Sequence, residues 1–121
     1  MPELPEVQTI ASFLQKELSS AVCRKIKFNR STLRVPIPKE SILSILLQGC
    51  VTNIFRRSKY LLLQTKKGFV IFHFGMSGKV VVLPTCQESV KHTHAVFTFL
   101  KPCGNQVYLH YIDPRRFGLL E

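Results

Sequence analysis

Apolar residues recur every three or four positions from Leu4 to about Leu18, a spacing that places them on one face of a helix. This face consists of Val7, Ile10, Ala11, Leu14 and Leu18, and polar residues occupy the opposite face. A second helical pattern runs from Lys39 to Gln48, after the helix-breaking Pro36 and Pro38, and Gly49 is expected to end it. The chain is therefore predicted to contain an N-terminal amphipathic helix and a second helix.

The rest of the chain consists mainly of short segments whose apolar pattern and length are typical of β-strands. The predicted strands are Val22–Phe28, Val51–Phe55, Tyr60–Thr65, Phe69–Phe74, Lys79–Leu83, His94–Leu100 and Gln106–Ile112. Lys66-Lys67-Gly68 and Pro102-Cys103-Gly104-Asn105 are suited to hairpin turns. Seven short strands with two helices predict a mainly β fold with flanking helices, a two-layer β-sandwich that forms one domain over residues 1–121.

The charge of the chain is strongly positive, with 17 Lys and Arg against 7 Asp and Glu and a formal net charge of +10. This excess favours a polyanionic partner such as nucleic acid, although a generic basic surface, as in ribosomal proteins, gives the same balance. No apolar run is long enough to span a bilayer, and the N-terminus lacks the apolar region of a secretory signal. These features predict a cytoplasmic protein without a membrane partner.

The four cysteines are Cys23, Cys50, Cys86 and Cys103, and they show no C-x-x-C spacing. They lie mostly in apolar segments, which is typical of reduced thiols in a cytosolic protein. A metal site formed by Cys86, His92, His94 and Cys103 is an alternative, because histidines two positions apart on a strand share a face. The cysteine spacings match no common zinc pattern, so no metal is expected in this chain.

The first six residues, Met1-Pro2-Glu3-Leu4-Pro5-Glu6, carry a candidate for covalent chemistry. Removal of Met1 would expose the α-nitrogen of Pro2, a secondary amine that can attack a sugar C1′ and form an iminium ion. Glu3 would lie next to this nucleophile, and the positive end of the helix dipole would lower the pKa of the amine. On these residues alone, the alternative is that Pro2 merely follows the initiator and the glutamates cap the helix.

Three further segments combine charge, glycine and aromatic residues in ways that suit nucleic-acid chemistry. Phe55–Leu63 places a basic cluster before a buried strand, where Lys59 could contact a phosphate or donate a proton; a solvated turn is the alternative. Two glycines in His73–Gly78 permit a tight loop that presents Met76 as an apolar wedge, unless Met76 is a core residue. The two arginines beside a phenylalanine in Asp113–Gly118 suit a base-flipping site, unless they form an ordinary turn.

Together, these segments resemble the N-terminal domain of the formamidopyrimidine-DNA glycosylases in order and spacing, from Met1 to about Gly118. The motifs that carry the resemblance are Pro2–Val7, Arg57–Leu63, His73–Gly78 and Asp113–Gly118. Leu4 favours this branch over the related endonuclease VIII enzymes for oxidised pyrimidines, which typically have glycine there. The family excises oxidised purines, such as 8-oxoguanine and formamidopyrimidines, from double-stranded DNA and then cleaves the strand at the abasic site.

The resemblance assigns a role to each of eight residues of this chain. Its catalytic residues would be Pro2 as the Schiff-base nucleophile, Glu3 as the acid/base for sugar-ring opening and base release, and Lys59 as a phosphate contact that assists β-elimination. His73 and His92 would contact the DNA backbone, while Met76, Arg115 and Phe117 would fill the gap left by the flipped nucleotide and read the opposite cytosine.

The chain departs from the family in two respects. Thr93 stands between His92 and His94 where the family usually has an aspartate, which alters the hydrogen bonding expected there. The family continues into a helix–two-turn–helix domain and usually a zinc finger, so its zinc cofactor is expected in that region and not within these residues. The resemblance implies a monomeric base-excision glycosylase and AP lyase of the bacterial cytosol, weak or inactive as this truncated chain; a non-enzymatic DNA-binding remnant is the alternative.

Overall fold

The computed structural model describes residues 4–28, 39–58, 60–73, 78–84, 93–112 and 119–120 of the chain. They form two helices, α1 (Leu4–Leu18) and α2 (Lys39–Leu46). The strands are β1 (Val22–Phe28), β2 (Asn53–Arg57), β3 (Tyr60–Thr65), β4 (Gly68–His73), β5 (Lys79–Leu83), β6 (Thr93–Leu100), β7 (Gln106–Ile112) and β8 (Leu119–Leu120). Neither of these helices has the length and apolar character needed to cross a bilayer.

The strands of the described residues form two antiparallel sheets of four. The first sheet has the order β1-β6-β7-β5, and the second has the order β2-β3-β4-β8. On β4, Phe72 packs edge-on against Phe97 of β6 and Tyr111 of β7, with ring centroids 5.9 and 5.6 Å apart. Because these rings belong to opposite sheets, the sheets pack face to face around one apolar core. The predicted two-layer β-sandwich with flanking helices is confirmed.

Helix α1 lies against β2, an edge strand of the second sheet. Its apolar face is buried, as the periodicity predicts, at Val7, Ala11, Leu14 and Leu18. The side-chain Oε1 of Gln15 accepts a hydrogen bond from the backbone N–H of Ile54 at 2.6 Å. An edge strand otherwise presents unpaired N–H groups, so α1 and Gln15 protect the open edge of the second sheet.

The second helix ends at Leu46, two residues before the predicted end at Gln48. Gln48 adopts a left-handed φ of 60°, and its N–H donates to the carbonyl of Cys23 on β1 at 2.7 Å. Gly49, which is predicted to end this helix, has a steric reason to be glycine, because a β-carbon there would lie 3.0 Å from the carbonyl oxygens of Ile45 and Leu46. The helix ends early because β1 offers its backbone an alternative hydrogen-bond partner.

Strand β2 begins and ends two residues later than the predicted Val51–Phe55. The N–H of Val51 donates to the carbonyl of Ala21 at 2.8 Å, and its carbonyl accepts from the N–H of Ser20 at 3.1 Å. Val51 is buried, as its apolar side chain suggests, but its backbone pairs with the segment before β1 rather than with β3. An apolar pattern cannot distinguish these two partners.

The other predicted bounds agree with the structure or differ by one residue at the described ends. The start of α1 and the bounds of β1, β3, β5 and β7 agree, and chain reversals occur at both predicted hairpin turns. Strands β4 and β6 begin one residue early, and Phe74, the predicted end of β4, lies outside the described residues. The short β8 was not predicted as a separate strand; it pairs with the end of β4.

Candidate active site

Of the eight predicted site residues, His73 falls within the described part of the chain. Pro2, Glu3, Lys59, Met76, His92, Arg115 and Phe117 lie outside the described residues. The described residues that flank these positions show where each sequence motif joins the fold.

His73 is the last residue of β4, and its half-buried ring stands beside Tyr60. The two ring centroids are 5.1 Å apart, and the ring planes are tilted by 42°. Phe72 points into the core, so alternation along β4 places His73 on the opposite, outer face of the second sheet. Because Tyr60 directly follows Lys59 in sequence, the basic motif and the His73 motif meet at one end of this sheet.

Arg56 connects this end of the sheet to α1. Its Nε donates to Oε1 of Gln8 on α1 at 3.1 Å, and one of its terminal nitrogens donates to the carbonyl of Ser58 at 3.1 Å. Ser58 has a left-handed φ of 56° and directly follows Arg57, which pairs with Tyr60. Arg56 thus links the helix that begins just after Glu3 to the residue that precedes Lys59.

The motifs His73–Gly78 and Asp113–Gly118 attach to the fold at adjacent places. His73 pairs with Leu119 across β4 and β8, and Lys79 pairs with Ile112 across β5 and β7. The first motif thus connects β4 to β5 and the second connects β7 to β8, and the residues before and after one motif pair with the residues after and before the other. The Tyr111 hydroxyl donates to the carbonyl of His73 at 3.2 Å and joins the two sheets at this point.

Comparison with known proteins decides which family has this arrangement. The family model of the formamidopyrimidine-DNA glycosylase N-terminal domain matches residues 1–120. The chain belongs to the formamidopyrimidine-DNA glycosylase family. Formamidopyrimidine-DNA glycosylases of Sodalis glossinidius and Hydrogenovibrio crunogenus are 39% and 42% identical to it, over 98% of this chain and 42% and 40% of their own lengths. The chain thus spans about two-fifths of these curated relatives.

Solved structures of the family have the same fold. The Lactococcus lactis formamidopyrimidine-DNA glycosylase, bound non-covalently to DNA that contains an AP site, superposes with a TM-score of 0.84 at 27% identity. That match covers 99% of this chain and 44% of the lactococcal one. A MutM protein in complex with DNA containing carbocyclic 8-oxo-G also gives a TM-score of 0.84, at 27% identity over 99% of this chain and 43% of its own.

Sequence reasoning did not identify the hydrogen bonds that Arg56, Gln8 and Tyr111 make near these motifs. Arg56 belongs to the basic cluster that drew attention, but nothing in that cluster indicates which arginine contacts α1. Gln8 belongs to the polar face of the predicted N-terminal helix, and Tyr111 falls within the predicted strand Gln106–Ile112. Their partners lie 48 and 38 residues away, so a local pattern carries no signal for either contact.

The described residues contain no group of three or more His, Cys, Asp or Glu placed to hold a metal ion. For the alternative metal site, His94 lies near the start of β6, and Cys103 lies in the turn beyond its other end, roughly 20 Å away. These two residues therefore cannot share a metal ion. Cys86 and His92 lie outside the described residues. Thr93, which lies between the two histidines in sequence, is buried and begins β6.

Among the residues that the structure describes, Cys23 and His110 have shifted pKa values. Burial raises the pKa of the Cys23 thiol to about 12, so this thiol is a core group and not a nucleophile. Burial lowers the pKa of His110, which is 1% exposed on the outer face of the first sheet. Among the described residues, neither ring nitrogen of His110 has a hydrogen-bond partner.

Proposed function

We propose that this chain carries the nucleophile of a base-excision DNA glycosylase with AP lyase activity, which removes oxidised purines from double-stranded DNA. The neighbouring MutM complex with carbocyclic 8-oxo-G and the lactococcal complex with an AP site support this substrate class. The net charge of +10 supports the same partner, because cations that neutralise phosphates supply much of the affinity for DNA. Zinc is expected outside these residues, in the part of the relatives that this chain does not span.

The observation that carries the proposal is the pair of hydrogen bonds made by Arg56. They connect Gln8 on α1 to the carbonyl of Ser58, so the start of the helix and the turn before Lys59 belong to one corner. The ring contact between Tyr60 and His73 brings a third motif to the same corner. A nucleophile at the N-terminus, an amine at the turn and a backbone-contacting imidazole would then act on one nucleotide.

The proposed chemistry follows from the secondary amine of Pro2. Its neutral nitrogen attacks C1′ of the damaged nucleotide, the bond from C1′ to the base breaks, and the base departs with the proton of the amine. Glu3 then protonates O4′, and the C1′–O4′ bond breaks, so the sugar ring opens and an iminium forms between C1′ and the nitrogen. The resulting iminium acidifies the proton on C2′. Loss of that proton expels the 3′ phosphate by β-elimination, which Lys59 assists while the amine remains bound to C1′.

The remaining predicted residues would hold the opened duplex. A nucleotide rotated out of the stack leaves a gap, which Met76 and Phe117 would fill with apolar surface. Arg115 would donate hydrogen bonds to the unpaired cytosine opposite, and His73 and His92 would contact phosphates. This division of labour separates residues that form covalent bonds from residues that keep the DNA open.

Borohydride trapping on a duplex with a preformed abasic site tests the proposal. Borohydride reduces the iminium to a stable amine, so the wild-type chain should give a covalent adduct that maps to Pro2 by mass spectrometry. The Pro2→Gly variant should lose most of the adduct. The Glu3→Gln variant should retain more of it, because a preformed abasic site needs no base release. An intact mass first establishes that Met1 is removed, since a proline within a peptide bond has no nucleophilic amine.

A lesion panel separates the glycosylase step from the lyase step. Because the chain spans two-fifths of its relatives, we expect residues 1–121 alone to act on a preformed abasic site and to release little 8-oxoguanine. A folded wild-type chain without Met1 that yields no adduct would refute the catalytic proposal and support a DNA-binding remnant. Faster action on oxidised pyrimidines than on oxidised purines would instead favour an endonuclease VIII-like specificity.

A further inference from the structure

Tyr111 spans the interior of the sandwich and binds the backbone of the opposite sheet. It lies on β7 of the first sheet, is fully buried, and donates its hydroxyl proton to the carbonyl of His73 on β4 of the second sheet. The Phe72 ring packs edge-on against the Tyr111 ring at 5.6 Å and an interplanar angle of 82°. Apolar packing thus holds the ring in place, and the hydroxyl adds a polar contact between the sheets.

This hydrogen bond lies where two motifs of the proposed site join the fold. His73 immediately precedes segment 74–77, which contains Met76, and Tyr111 lies two residues before segment 113–118, which contains Arg115 and Phe117. Strand pairs also join the flanks of the two segments, His73 with Leu119 and Lys79 with Ile112.

Strand pairing alone joins these flanks only within each sheet. The β4–β8 pair belongs to the second sheet and the β5–β7 pair to the first, so neither pair fixes one sheet relative to the other. The Tyr111 hydroxyl does so with a directional contact, whereas apolar side chains between the sheets constrain their relative position less specifically. The described residues from which the two segments leave the sheets are therefore held relative to one another by strand pairing within each sheet and by this hydrogen bond between the sheets.

We propose that Tyr111 is a positioning residue, which through the His73 carbonyl fixes the flanks of the segments that contain Met76, Arg115 and Phe117, and that opening of the DNA duplex depends on this contact. This inference rests on the proposed function. Tyr111 itself touches neither DNA nor the reacting atoms; it acts by fixing where the two segments begin. A purely structural tyrosine would contribute to stability and leave DNA opening unchanged in the folded protein.

The test compares Tyr111→Phe with Tyr108→Phe in the 121-residue chain. Tyr108 lies three residues away on the same strand, and its hydroxyl donates to Gln106 at an exposed position, so its removal is a matched control. Three quantities are measured below the melting temperature of every variant. They are the trapping rate at saturating abasic-site DNA, the DNA concentration for half-saturation, and the fluorescence of 2-aminopurine beside the abasic site, which increases when the base is unstacked.

We expect Tyr111→Phe to lower the trapping rate at saturating DNA by about fivefold, the factor expected for one neutral hydrogen bond. The 2-aminopurine signal should decrease in parallel. The half-saturating DNA concentration should change less than about twofold, because phosphate contacts dominate affinity. Tyr108→Phe should match the wild type in all three quantities.

Two results would overturn the inference, and they differ in what else they refute. If the wild type forms an adduct and Tyr111→Phe traps and unstacks DNA as well as Tyr108→Phe does, Tyr111 has no positioning role, whatever its effect on the melting temperature. If the wild type forms no adduct and changes no fluorescence, the proposed function fails and this inference fails with it.

Discussion

Replacement of Gln15 by methionine tests whether α1 protects the edge of the second sheet. The Gln15 Oε1 accepts the N–H of Ile54 at 2.6 Å in a partly buried setting, and Ile54 is 3% exposed. Methionine keeps the length of the side chain and its helix propensity but removes the acceptor. The N–H of Ile54 is then left without this partner on an edge that α1 shields from water.

The expected loss of stability follows from the burial of that N–H. An unsatisfied buried donor costs about 1–3 kcal/mol, and partial burial places this one at about 1–2 kcal/mol. For 121 residues, an unfolding entropy of about 2.1 cal/mol/K per residue converts this into a decrease of about 4–8 °C in the melting temperature. Thermal unfolding followed by circular dichroism measures the decrease, and urea unfolding gives the free energy directly.

Gln8→Met provides the matched control on the same helix. Gln8 also accepts a hydrogen bond from the second sheet, through Arg56, but that contact is exposed and water can replace it. We expect its loss to cost under about 0.5 kcal/mol, at the lower end for a hydrogen bond. A melting temperature for Gln15→Met within about 1 °C of the wild type would refute edge protection, and equal losses in both variants would indicate a general effect on α1.

Three further predictions concern function, pH and thiol reactivity. Arg56→Lys should lower the trapping rate about three- to tenfold with little change in melting temperature, because lysine cannot donate to both Gln8 and Ser58 in the planar geometry of arginine. An unchanged trapping rate would exclude a role of Arg56 in linking α1 to the turn before Lys59. Burial lowers the pKa of His110, so only the unfolded chain gains a proton at this side chain as the pH falls through 6.5. The free energy of unfolding should therefore decrease below that pH, and it should decrease less steeply in His110→Gln, as urea unfolding from pH 7.5 to 5 would show. Iodoacetamide should modify the exposed Cys50 and Cys103 in the folded protein, and it should modify Cys23 only after urea unfolds the chain. Labelling of Cys23 in the folded protein, detected by peptide mass mapping, would contradict this prediction.

The parts of the fold that local patterns determine could be predicted from the sequence. Helix α1 repeats its apolar face over four turns, and strands such as β3 and β7 are bounded by turn residues, so their limits agree. The predicted end of α2 and the predicted bounds of β2 are wrong because backbone groups there form hydrogen bonds with residues distant in sequence. Gln48 bonds to Cys23, and Val51 bonds to Ala21, although each is predicted locally to continue a helix or to begin a strand.

The candidate site shows the same division between local and long-range information. Its motifs could be found because each is a contiguous stretch of unusual residues, and family membership confirms the resemblance that they carry. The contacts between the motifs could not be found, since the Gln8–Arg56 and His73–Tyr111 hydrogen bonds join residues 48 and 38 positions apart. The roles of the eight predicted site residues therefore remain predictions that the trapping experiments test.

The long-range hydrogen bonds of the corner and those of the core should respond differently to substitution. The sandwich is stabilised by a continuous apolar cluster that includes Phe72, so the loss of one exposed polar contact, such as that of Arg56, leaves most of its stability intact. Arg56 instead connects α1 to the end of β2, and Tyr111 connects the two sheets. A chemical step between groups on connected elements depends steeply on their separation, because a misplacement of about 1 Å can cost on the order of a hundredfold in rate. Substitution of Arg56, whose contacts are exposed, should therefore change trapping more than melting, whereas Gln15→Met should change melting first.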